Sequence, residues 1–211
     1  MFRNLLRPGS GLMVTMNWVT DCIFFSLFWI LGAFPLITLG GISAALYDAV
    51  YRTYRGNEQH GWMRFFHVFR TNWKAGILPS VIWLVLFCTG AWGMIQIWNA
   101  AVYGQISWVF FSAASIFALV FLGSLNIMFP MLSRFDNSLP VLLRNTVLLS
   151  LSNLPLTLGV GFVHALTLIL CVRFIYPLFF LPALAALLSS LFIEPMFKPF
   201  MATEAAGEES E

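Results

Sequence analysis

Asp21 and Asp48 are carboxylates set inside stretches that are otherwise apolar, and Arg52 follows Asp48 at the spacing of one helical turn. Ionisable side chains are costly at membrane depth, so such residues are functional candidates by default. Two arrangements are open to them. In the first, both carboxylates share a cation or proton site at similar depth near the cytoplasmic side. In the second, Asp48 pairs with Arg52, and Asp21 caps its own helix or meets a neighbouring one, an acid near a helix N-terminus being favourable in any case. Asp21, Asp48 and Arg52 form the candidate intramembrane polar site.

The other reactive side chains offer less. His164 is a lone histidine in an apolar run, without a second His or Cys at metal-ligand spacing, and is expected to hydrogen-bond a neighbouring helix. Cys22, Cys88 and Cys171 fall in three separate runs with no C-x-x-C pattern, and read as small packing residues. Glu194, beside Pro195, reads as a boundary residue that reaches water. There is no H-E-x-x-H, G-x-S-x-G or P-loop pattern, and no pair of acids beside an aromatic sugar platform. No catalytic, cofactor-binding or metal-binding residue is assigned. The expectation is a protein without enzymatic activity and without a cofactor.

Membrane-length helices must position these groups. Hydrophobic residues make up 60% of the 211 and charged residues 9%, where a soluble domain carries about 25% charged residues. So few charges could not cover the apolar surface in water, and the apolar runs reach the roughly 18 residues that a membrane span needs. The first helix is read over Leu12–Ala33, and no A-x-A cleavage site follows it. Pro35 bends the chain. The second segment runs from Leu36 to Arg55, and Gly40, Gly41, Ser43, Ala44 and Ala45 predict close packing against the first helix. It either spans or lies re-entrant. Further spans are read over Ala75–Trp98, Ser107–Met131, Thr146–Cys171 and Phe174–Phe197, the last broken by Pro177 and Pro182.

Between the second and third segments lies Gly56–Lys74. Trp62, Phe65, Phe66, Phe69 and Trp73 recur on one helical face, with Arg64, His67, Arg70 and Lys74 on the other. Aromatic on one side and basic on the other describes a helix in the membrane interface. Its expected contacts are inner-leaflet phospholipid or a cytoplasmic protein partner, through Trp62, Arg64, Phe66, Arg70, Trp73 and Lys74.

Orientation follows from the basic residues, which collect on the cytoplasmic side. With a spanning second segment, Arg173 alone of the 11 basic residues faces outside. The fold expected is therefore an all-α polytopic membrane helix bundle: five to six membrane segments plus one interfacial amphipathic helix, both termini cytoplasmic. One bundle covers residues 1–201, and residues 202–211 are expected to be a disordered acidic tail.

At Pro35-x-x-Thr38-x-Gly40, followed by Ala44-Ala45-Leu46-Tyr47, the chain resembles the YesL-like family of bacterial integral membrane proteins. The likeness continues through Arg70-x-Asn72-x-Lys74, Arg144-Asn145 and Asn153-Leu154-Pro155, and covers nearly all of the chain except the acidic tail. The family has no established biochemical activity, and its members tend to be encoded beside carbohydrate-uptake and carbohydrate-degradation functions. The resemblance implies a multi-pass protein of the bacterial cytoplasmic membrane, working as an accessory or partner of a carbohydrate uptake system. A small secondary transporter with its own solute path is the alternative. Membrane lipids, a carbohydrate transporter complex and a second copy of the chain are the expected partners. Nucleic acid is not one, since the basic residues face the inner leaflet.

Overall fold

The computed structural model describes residues 11–56, 61–135 and 138–208. Arg3 and Arg7, Asp136 and residues 209–211 lie outside the described residues. The fold is all-α. In chain order its helices are α1 (Gly11–Ala33), α2 (Leu39–Tyr54), α3 (Gly61–Asn72), α4 (Ile77–Val102), α5 (Trp108–Arg134), α6 (Leu139–Ser152), α7 (Leu154–Arg173) and α8 (Leu181–Glu208), with a 3-10 turn at Tyr176–Phe179 before α8.

Four of these helices are long and apolar enough to cross a membrane: α4, α5, α7 and α8 over Leu181–Pro199. Large apolar side chains such as Val85, Trp92, Val109 and Phe117 point outward from α4 and α5, a surface that suits lipid. Neighbouring long helices run antiparallel. On α5 and α7, Gly123 sits against Thr157 while Gly161 sits against Leu119. On α7 and α8, Gly159 faces Phe192 and His164 approaches Ser189.

Helix ends follow local chemistry. Ser107 caps α5 by accepting the Phe110 N–H at 3.2 Å. The expected single fifth span, Thr146–Cys171, is two helices. Pro155 has no N–H to give the Leu151 carbonyl and its ring would clash there in a continuous helix, whereas it fits the first turn of a new helix, where its missing N–H costs nothing. Asn153 accordingly leaves the helical region at φ −128°, ψ 49°, and α7 starts behind it. Thr157 Oγ1 bridges the break by donating to the Ser150 carbonyl at 3.0 Å. The region read as the start of the sixth span, from Phe174, is instead the 3-10 turn, and α8 begins just before Pro182. α8 then continues to Glu208, into the stretch expected to be an acidic tail.

α1 and α2 form an antiparallel hairpin around Phe34–Thr38. The Tyr54 hydroxyl donates to the Trp18 carbonyl at 2.9 Å, and Trp29 Nε1 donates to Ser43 Oγ at 2.9 Å. The small residues of α2 do more than pack on α1. Gly40 abuts the Gly76 carbonyl and Ser80, and Gly41 abuts the backbone of Trp73, so the closest approach is to the lead-in of α4. Gly40 N–H donates to Ser80 Oγ at 2.6 Å, a bond that needs the two backbones this close. At 16 residues, α2 rises about 24 Å. Its contacts include the lead-in and first turn of α4, Arg134 at the end of α5 and Glu194 on α8.

Candidate functional site

Asp48 is fully buried. It sits on the α2 face turned towards α3 and α5, and three arginines converge on it. Arg64 Nε from α3 lies 2.7 Å from Oδ2, and Arg52 Nε, one turn along α2, lies 3.1 Å from Oδ1. Arg134 Nε, at the end of α5, lies 3.7 Å from Oδ1. Arg134 also reaches the other way: its Nη2 is 2.8 Å from Glu194 Oε1 on α8. Tyr47 donates its hydroxyl to the same Glu194 oxygen at 3.0 Å. The Arg134 guanidinium sits 4.7 Å from the ring centre of Tyr51, which stacks parallel to Tyr47.

The arrangement is one network across four helices, with three guanidinium groups against two carboxylates. The acids are at its centre with Arg134, 14% exposed, bridging them, and Arg52 and Arg64 form the rim. Asp48 has no exposed side-chain surface, whereas the Arg52 and Arg64 side chains are 35% and 32% exposed. A buried carboxylate left alone would cost several kcal/mol, so its removal from water is offset only because two short ion pairs and a third cation surround it. A guanidinium is suited to this, since it stays charged and carries several donors in a fixed plane.

The structure distributes the sequence-singled residues as follows. Asp48 and Arg52 are in the network. Arg64, read on the outward basic face of its helix, turns inward to Asp48. Asp21 does not join them. It lines a separate cleft of about 440 Å³ with Phe24, Thr53 and Trp62, between α1 and the facing ends of α2 and α3. Trp62, Phe66 and Trp73 stand half-exposed, and Arg70 and Lys74 are exposed. Lys74 Nζ lies 5.5 Å from the centre of the Trp73 ring. The aromatic stripe of α3 is thus split. Phe65 and Val68 are buried, Phe65 against Phe25 and Phe28 of α1, while Trp62, Met63 and Phe66 remain outside.

Arg134 and Tyr47 are members that sequence reasoning did not place, and Glu194, read as a boundary residue that reaches water, is instead buried between them. Glu194 carried a usable signal, because it lies in the apolar run of α8 and meets the same criterion that singled out Asp48. Arg134 looked like an ordinary basic residue at a helix end. His164 Nδ1 lies 2.9 Å from the Val160 carbonyl on its own helix and 3.5 Å from Ser189 Oγ on α8. Among the described residues, no group of three or more His, Cys, Asp or Glu side chains is placed to hold a metal ion. Compared with known protein families, curated proteins and solved structures, the chain matches none.

Proposed function

We propose that this chain is a non-enzymatic integral membrane protein of the bacterial cytoplasmic membrane that serves a carbohydrate uptake system as an accessory subunit, docking through α3. The observation that carries the docking reading is the two-sidedness of that helix. Its inner face is fastened by Arg64 to Asp48 and by Phe65 to α1. Its outer face presents Trp62, Met63 and Phe66, fringed by Arg70 and Lys74. A surface helix held in one orientation, with aromatic anchors beside cations, suits a partner protein as well as phospholipid headgroups. The carbohydrate assignment rests on the resemblance to YesL-like proteins.

In this reading α4, α5, α7 and α8 cross the bilayer in alternation. The open ends of the α1–α2 hairpin lie together at Trp18 and Tyr54, which supports a start of α1 on the same side as Arg52 and Arg55. Lys74, Arg134, Arg144 and Lys198 fall on that cytoplasmic side and Arg173 on the other. Both termini are then cytoplasmic, and the segments number six when both hairpin arms cross.

Purification in mild detergent with a co-expressed candidate transporter tests the proposal. Co-elution, abolished by the triple change Trp62→Ser, Phe66→Ser and Trp73→Ser, is the expected result. Recovery of the unaltered chain alone, while the transporter stays intact, overturns it. The helix break at Asn153 favours a second reading as a secondary transporter, since discontinuous helices line solute paths in such proteins. Solute uptake into proteoliposomes that Asp48→Asn abolishes would favour that reading.

A further inference from the structure

The two carboxylates of the hairpin have opposite surroundings. Asp48 is met by three arginines. The Asp21 side chain is half-buried and, among the described residues, makes no ion pair or hydrogen bond. It lines the cleft of about 440 Å³ between α1 and the facing ends of α2 and α3. Phe24, Phe25 and Phe28 follow it at i+3, i+4 and i+7 and line the same cleft, so one face of α1 carries a carboxylate beside three phenyl rings. Trp62 lines the cleft from α3. Among the described residues, no Lys or Arg lines it.

The aromatic wall is already packed. Phe28 lies 6.4 Å from Phe24 and edge-on to Phe66 at 5.1 Å, and Phe25 lies 6.2 Å from Phe65. Gly61 lets the start of α3 come up to this wall, since a Cβ there would fall 2.8 Å from the Phe25 ring. Phe24 and Trp62 stay half-exposed. Trp18, about one turn before Asp21, meets Tyr54 at 4.8 Å between ring centres. Amphipathic rings of this kind mark the headgroup level in the orientation proposed above.

A carboxylate without a basic neighbour in the cleft favours a cation and repels anions. A hard metal ion is poorly served, because the wall offers one carboxylate and one hydroxyl where calcium takes about six to eight oxygens. An organic cation is well served. Its alkyl surface meets the rings, and its charge is attracted by the carboxylate and by the aromatic faces together.

We infer that the Asp21 cleft binds a small organic cation with one ammonium centre, paired to the carboxylate and held against Phe24, Phe28 and Trp62. The ammonium is that of a free amine or of an aminophospholipid headgroup. The site goes beyond the docking proposal: it shares Trp62 with the docking face, but its occupancy needs no protein partner.

Equilibrium binding to the full chain in dodecyl maltoside, a detergent without charge or amine, tests this. The probes are choline and its uncharged isostere 3,3-dimethyl-1-butanol. Choline is expected to bind saturably above empty micelles, and the isostere at least about tenfold more weakly. Asp21→Asn should weaken choline at least about tenfold and Asp21→Glu, which keeps the charge, less than about threefold. Trp62→Leu should weaken it roughly two- to fivefold, the worth of one exposed cation–π contact. Phosphatidylethanolamine added to the micelles displaces choline when the headgroup is the occupant and leaves it bound when a free amine is; phosphatidylglycerol displaces it in neither case. Choline binding no greater than in empty micelles overturns the inference. So does an isostere that binds as tightly as choline. Undiminished choline binding in folded Asp21→Asn, or in Trp62→Leu should that variant not fold, overturns it as well.

Discussion

The α5–α7 crossing and the Asp48 network both hold helices together, by opposite means. At the crossing, α5 and α7 touch through their backbones. A Cβ at Gly123 would strike the Thr157 carbonyl, and one at Gly161 would strike that of Leu119. No charge is involved. At the network, four helices meet through long side chains that spread charge over two carboxylates and three guanidinium groups. Hydrophobic driving force between helices vanishes in lipid, so a mid-bundle contact must come from close approach. Near the bundle end, where arginine side chains reach water, ion pairs can do the same task. The first contact is therefore strict about volume and the second about charge balance.

Breaking the crossing should have the largest effect. Gly161→Leu is expected to destabilise the protein in detergent by more than about 3 kcal/mol, because the obstacle is backbone and cannot move aside. Gly93→Leu is the control, since a Cβ there meets nothing within 4 Å, and its thermal midpoint should stay close to that of the unaltered chain. Asp48→Asn comes next, at about 2–3 kcal/mol, less than a fully buried pair would lose because two of the arginines are a third exposed. Arg52→Ala should cost under about 1 kcal/mol, as an ion pair whose base is 35% exposed is screened by solvent. The smallest stability change is expected from Trp62→Ser with Phe66→Ser, whose side chains are 54% and 47% exposed. Unfolding in mixed micelles should place that pair within about 1 kcal/mol of the unaltered chain. Gly93→Leu falling as far as Gly161→Leu would remove the volume argument. Arg52→Ala costing as much as Asp48→Asn would remove the centre-and-rim picture of the network.

Hydropathy periods and proline positions located most helices, because apolar runs of membrane length and X-Pro steps are local signals. α1 and α4 begin within two residues of their expected starts. The break at Asn153 was readable in Pro155, yet the unbroken apolar run concealed it. The pairing of Asp48 with Arg52 was legible because both lie on one helix at a fixed spacing. The convergence of Arg64, Arg134 and Glu194 was not, since it depends on how α3, α5 and α8 pack. The two faces of α3 were blurred for the same reason: helical period puts Phe65 and Phe66 on one broad stripe, and only the groove offered by α1 and α2 decides which of them is buried.

A double-mutant cycle on Asp48 and Arg64 tests the network's role in fixing α3 most directly. Asp48→Asn, Arg64→Gln and the double variant would be unfolded in mixed micelles alongside the unaltered chain. Their 2.7 Å contact predicts a coupling energy of about 1–3 kcal/mol. Losses that add to within about 0.5 kcal/mol would contradict it, and α3 would then be held by its apolar face alone.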